Sequence, residues 1–270
     1  MLKNILTTSI AIASTIVVAT AQDQSGYNPY SVRPIHESDV LYKKTVIRAL
    51  DLREKQNLPI FSTNKEITRI IIDAVKKGDI KPYTSDSLDQ GRSLTKEEFQ
   101  KKITMAVPED NEGGDEPAAD PATGGGDAAP AGLEYLPKQL YQMQMKEDYI
   151  FDKQRSRAYH DIQSITVLIP SEFNAKGIEE PIATFKYKDL VEVFKKDPRA
   201  IYFNPSNDAE HRSLVDAFDL RLFSSYIIKV SNPRDEYLVD IYTESQKQGI
   251  MASYWKANEL MEFEHNLWEF

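Results

Sequence analysis

Apolar positions recur along this chain with more than one period. Val40, Ile47 and Leu50 predict a helix over 37–55, stopped by Asn57-Leu58-Pro59. Ile67, Ile70, Ile71, Ala74 and Val75 fall at i, i+3, i+4, i+7 and i+8. That spacing is an amphipathic helix, with a Thr63–Glu66 capping box at its start and Gly78 as its C-cap. A second capping box, Thr95 with Glu98, opens a short helix through Phe99 and Ile103. Leu136, Leu140 and Met143 share one helical face and predict a helix running to about Arg157.

Strand-like runs follow at 159–169, ended by Pro170, and at 182–187. A short helix is expected over 189–196, with Leu190, Val193 and Phe194 inward, then a strand over 200–203. His211, Leu214, Val215, Phe218 and Leu222 predict a helix over 208–222. Runs 223–230 and 237–242 read as paired strands around an Asn232-Pro233 turn. A long last helix is expected over 246–268, with Ile250, Tyr254, Ala257, Met261 and Trp268 along one stripe. The class is α+β, with small antiparallel or mixed sheets packed with helices and split by a flexible acidic Gly/Ala/Pro linker.

That linker is 108–132. Its 25 residues hold six Gly, four Pro, six Ala and seven Asp/Glu, with no Lys or Arg. With almost nothing to bury, the entropy of ordering is not recovered. The formal charge of the 270-residue chain is −9, and most of it is these carboxylates. Their order is not that of a calcium loop. A basic tip at Lys3, an apolar run over 5–19 and Ala19-Thr20-Ala21 have the three parts of an export signal, expected to be cleaved after Ala21. The regions are then a signal peptide, 1–21, a mainly helical region, 22–107, the linker, 108–132, and an α+β domain, 133–270. Of the 27 aromatic residues, 21 fall in the last region, where the larger core is expected.

Chemistry is sparse. There is no Cys, which excludes disulfides, thiolate metal sites, a thiol nucleophile and a cysteine lipid anchor. The acidic balance argues against a nucleic-acid partner. No phosphate loop, dinucleotide fingerprint or nucleophile elbow occurs, and the four His show no H-E-x-x-H or H-x-H spacing. His36-Glu37-Ser38-Asp39 and Glu262-Phe263-Glu264-His265 read as capping or helix-surface groups. No catalytic, cofactor-binding or metal residues are assigned. The densest basic cluster is Lys153-Gln154-Arg155-Ser156-Arg157, interleaved with Tyr149, Phe151 and Tyr159. Tyr149, Phe151, Lys153, Arg155, Arg157, Tyr226 and Trp268 are the candidate partner-contact residues, chosen on the logic of exposed aromatics and cations.

Four segments together carry a resemblance. They are Asp51-Leu52-Arg53-Glu54-Lys55-Gln56-Asn57-Leu58-Pro59, the run from Glu147 to Ser156, Phe203-Asn204-Pro205-Ser206-Asn207-Asp208, and the run from Phe223 to Asn232. In this order, behind an export signal, they resemble the gliding-motility family GldN, also called PorN. The Gly/Ala/Asp-rich insert is not part of that pattern. The resemblance implies a non-enzymatic, periplasmic component of the type IX secretion system, held at the inner face of the outer membrane through a partner. It implies assembly into a ring with the outer-membrane lipoprotein GldK/PorK and contact with the periplasmic part of the motor protein GldM/PorM. It implies no cofactor. Two other readings of the chain remain, a secreted hydrolase whose site is dispersed in sequence and a periplasmic small-ligand-binding module.

Overall fold

Alternation, not helical period, governs the first long element. The computed structural model describes residues 26–84, 92–105, 133–174, 176–242 and 246–267. The export signal with Ala21, the linker 108–132 and Trp268 lie outside them. Strand β1 (Val40–Asp51) stands where a helix over 37–55 is expected, and β2 (Gln142–Asp152) where the helix to Arg157 is expected. They pair antiparallel along their whole length, from Tyr42 opposite Phe151 to Asp51 opposite Gln142. Side chains alternate across a strand, so Val46, Arg48 and Leu50 share one face with Met143, Met145, Glu147 and Tyr149. Two charged residues on the core-facing side hide the period-2 pattern, and the remaining apolar positions imitate a helix.

β3 (Arg157–Ile169) and β4 (Glu180–Lys186) follow the predicted strands closely. β5 (Ile201–Tyr202) and β6 (Arg212–Ser213) form a separate two-stranded pair. β7 (Tyr226–Val230) pairs with β1 rather than with a following strand. The main sheet has five strands, ordered β4-β3-β2-β1-β7, and every pair is antiparallel.

Helices α1 (Ile67–Lys77), α2 (Lys96–Ile103) and α3 (Tyr187–Lys196) match the expected ones. α2 carries the predicted capping box: Glu98 N–H donates to Thr95 Oγ1 at 3.2 Å, and Thr95 N–H to Glu98 Oε2 at 2.9 Å. α1 does not. Its N-cap is Glu66, whose carboxylate turns back to accept from the Asn64 N–H and from Arg69. α4 (Leu214–Asp219) is far shorter than the expected helix over 208–222, because Arg212 and Ser213 are drawn into β6. The run 237–242 is α5 (Leu238–Ile241), a single helical turn and not a strand. α6 (Gln246–Asn266) is the long last helix.

Gly78 closes α1 at φ +90°, the left-handed cap conformation that favours glycine. A Cβ there would stand 2.8 Å from Lys96 Nζ, which donates to the Lys76 carbonyl. Gly78→Ala is expected to lower stability by about 1 kcal/mol. The check is a urea midpoint that falls with no change in slope.

Both blocks of the chain build one interior. Leu52, Ile67, Ile70 and Ile103 from the first pack in one cluster with Met145, Ile165, Phe185 and Phe218 from the second. Each is almost fully buried, so the core is continuous across the boundary. α3 lies on β3 and β4, α2 on β4, and α1 and α4 on α3. The chain on either side of the linker is held together: Met105 N–H donates to Leu133 O, and Tyr135 N–H to Ile103 O, each at 2.9 Å. A second, smaller cluster of Val46, Ile227, Leu238 and Ala252 sits under α5 and α6.

Candidate functional site

The structure separates the aromatics from the cations that the sequence nominates together. Tyr149 and Phe151 are buried in β2. The Tyr149 hydroxyl donates to Glu264 Oε2 at 2.6 Å, and its ring packs on Tyr42 and His160. Burial, the bond to Glu264 and the Glu264 charge push this hydroxyl's pKa up, so it stays neutral and works as a tie between β2 and α6. Lys153, Arg155 and Arg157 stand exposed at the β2–β3 turn. Arg155 bonds back to Asp152 at 3.1 Å. Tyr226 is half exposed at the start of β7, away from that turn in the strand order.

Sequence reasoning missed a charged centre between them. Glu147 is fully buried on β2. Arg48 Nε donates to its Oε1 at 2.5 Å, Arg221 Nη1 to its Oε2 at 2.7 Å, and His160 Nδ1 lies 3.2 Å from Oε1. Burial alone would raise the carboxyl's pKa. The hydrogen bond with His160 and the charges of Arg221 and Arg48 overcome it and hold the group well below the usual carboxylate range. Arg221 reaches the site from just beyond α4 with φ +52°, a left-handed backbone rare outside glycine. Every member is engaged by another, so the centre reads as a clamp between β1, β2, β3 and the α4 exit rather than as reactive chemistry.

Other polar groups near one another are also spent locally. His36 caps a short helical turn: its Nδ1 accepts from Ser38 N–H, and Ser38 Oγ bridges to Asp39. In a hydrolytic triad the histidine stands between serine and acid, and here the serine stands between the other two. Among the described residues no group of three or more His, Asp or Glu is placed to hold a metal ion.

The surface feature that stands out is the outer face of α5 and α6. Among the side chains described, α6 buries fully beneath it only the small Ala252 and Ser253, with Ala257 and Leu260 partly so. Ile250, Met251, Tyr254, Trp255 and Met261 point outward, between 49% and 64% exposed. Val239 and Ile241 of α5 extend the patch. Of the stripe predicted from the sequence, Ile250, Tyr254 and Met261 are turned to solvent, Ala257 packs inward against the small cluster, and Trp268 lies outside the described residues. Isolated exposed apolar residues are ordinary, whereas a contiguous group with two aromatics and two Met marks a contact surface. Asp240, Glu259 and Glu262 rim it. No helix among the described residues is long and apolar enough to cross a membrane.

Compared with curated proteins, the chain matches none. Residues 35–269 match the family described as gliding motility associated protein GldN, a span that takes in every strand and helix from β1 to α6, and the chain belongs to that family.

Proposed function

We propose that this chain is a non-enzymatic scaffold of the periplasm, exported by cleavage after Ala21. It assembles into a ring with an outer-membrane lipoprotein of the GldK/PorK kind and contacts the periplasmic part of a motor protein of the GldM/PorM kind. Membership of the GldN family makes it a component of the gliding motility and type IX secretion machinery. The outward apolar face of α5 and α6 carries the scaffold reading. An enzyme hides its apolar groups around a pocket, whereas Ile250, Tyr254, Trp255 and Met261 are laid out on a convex helix. The polar groups that could serve a hydrolase are tied up instead, Glu147 by two arginines and His36 by its own turn. The nominated cations Lys153, Arg155 and Arg157, with Tyr226, are secondary contacts at the other parts of the sheet.

The test is immunoprecipitation of the chain from membranes solubilised in mild detergent, with partners identified by mass spectrometry. Recovery of the lipoprotein is expected. A free monomer, with secretion intact after deletion of the gene, would remove this reading.

A further inference from the structure

β3 is longer than the strand beside it. β4 covers only Ser164 to Ile169 of β3, while β2 pairs with β3 down to Arg157. Among the described residues no strand pairs with 157–163 on the β4 side. The lane that β4 would continue into is turned aside at Tyr187, where α3 begins. A cleft of about 490 Å³ lies there, touched by five consecutive β3 residues, Ala158 to Ile162. Consecutive strand residues point to opposite faces, so a cleft that meets all five runs along the edge of the strand. Alternate residues turn their N–H and C=O groups to such an edge, at the spacing an added strand would match.

Two further observations say what fits. The Tyr187 hydroxyl is buried at the end of the lane and has no hydrogen-bond partner among the described residues, although the whole residue is only 3% exposed. Burial pushes its pKa up, so it is a neutral donor waiting for an acceptor. Asp219, Arg33 and Asp161, whose charges act on that hydroxyl, all line the cleft. The cleft's charged lining is Arg33, Arg155 and Arg221 against Asp161 and Asp219, with the His160 ring beside them. Arg221 is spent on Glu147. Arg33 holds Asp219 at 2.7 Å and Arg155 holds Asp152 at 3.1 Å, yet both guanidinium groups stay mostly exposed at the mouth. Arg157 stands exposed at the same end of β3.

We propose that this edge takes an extended acidic peptide segment of a partner protein as an added strand. Its main chain bonds to alternate residues of Ala158 to Ile162, its carboxylates meet Arg33 and Arg155, and an acceptor group engages the Tyr187 hydroxyl where the lane ends. The proposal rests on the sheet geometry and stands whether or not the ring assignment does.

The probe is a fluorescein-labelled six-residue peptide alternating glutamate and valine, titrated by anisotropy against the chain from Gln22 onward. Saturable binding is expected, with slowed amide exchange at 158–162. It should weaken by about tenfold or more in the Arg33→Gln/Arg155→Gln variant, with the unfolding midpoint measured alongside because Arg155 pairs with the buried Asp152. It should weaken several-fold in Tyr187→Phe, with no loss of thermal stability. A copy of the peptide N-methylated at alternate residues keeps the charge but removes the strand donors, and should not bind. No saturation up to about 1 mM, equal binding of the methylated peptide, or equal binding of a lysine–valine peptide would each overturn the proposal.

Discussion

Replacing Glu147 with Gln is expected to cost the fold about 3–5 kcal/mol, the usual penalty for removing one partner of a buried ion pair. The substitution keeps the shape and loses only the charge. Arg48 and Arg221 are then left facing a neutral amide, with Arg48 13% exposed and Arg221 27% exposed. The amide also presents an N–H₂ to donors that need an acceptor. Because Arg221 anchors the segment after α4 and Arg48 sits in the middle of β1, both ends of the clamp lose their reason to meet. Urea unfolding followed by far-ultraviolet circular dichroism measures the loss. A midpoint change worth less than about 1 kcal/mol would mean that water reaches the arginines and the centre is not a clamp.

The same carboxyl makes stability depend on pH. Its folded pKa lies below its ordinary value of 4.5. A depressed carboxyl gives stability that is fully present above the unfolded pKa and lost as pH falls below it. Stability of the native chain should therefore drop as pH falls below about 4.5, and the drop should be shallower in Glu147→Gln. Equal pH profiles for the two proteins would remove Glu147 as the source.

This centre also explains what the sequence hid. The surface-type helices α1, α2 and α3 could be read because their apolar residues face one way and water faces the other. Ile70, Ile71, Ala74 and Val75 announce α1 without any long-range information. β1 and β2 could not be read in this way. They lie inside the sheet with Arg48 and Glu147 on the core side, and a charge is scored as outward until its partner is known. That partner is 99 residues away in sequence. The burial of Tyr149 and Phe151 is hidden for the same reason, since an aromatic next to cations looks exposed until the strand's alternation is known. β7 is legible as a strand but its neighbour is not, because Val46 to Ala49 of β1, with which it pairs, read as helical in the sequence. The face of α5 and α6 was half legible. The stripe of Ile250, Tyr254 and Met261 shows in the sequence, but its direction depends on Ala252 and Ser253, whose small size lets the other side of the helix settle on β7.

That direction makes the second large effect separable from folding. Trp255→Ala is expected to weaken association with the partner by about 2–4 kcal/mol, roughly 30- to 1000-fold in Kd, as truncation of a central aromatic anchor does. Its own chain should hardly notice. The ring is 52% exposed and, among the described residues, makes one aromatic contact, edge to face with Tyr242 at 6.2 Å. Losing that contact costs no more than about 1 kcal/mol. Tyr254→Ala, more exposed still, should behave alike with no measurable change in unfolding. Ala252→Leu gives the opposite pattern. Ala252 is buried against the small cluster of Val46, Ile227 and Leu238, so added methyl groups should overpack it by about 1–3 kcal/mol and loosen α6. Sedimentation of the purified chain with its detergent-solubilised partner reads the first effect, and urea unfolding reads the second. If Trp255→Ala and Tyr254→Ala leave the complex intact while Ala252→Leu dissolves it, the helix only supports an interface elsewhere. If all three leave it intact, the apolar face is not where the partner docks.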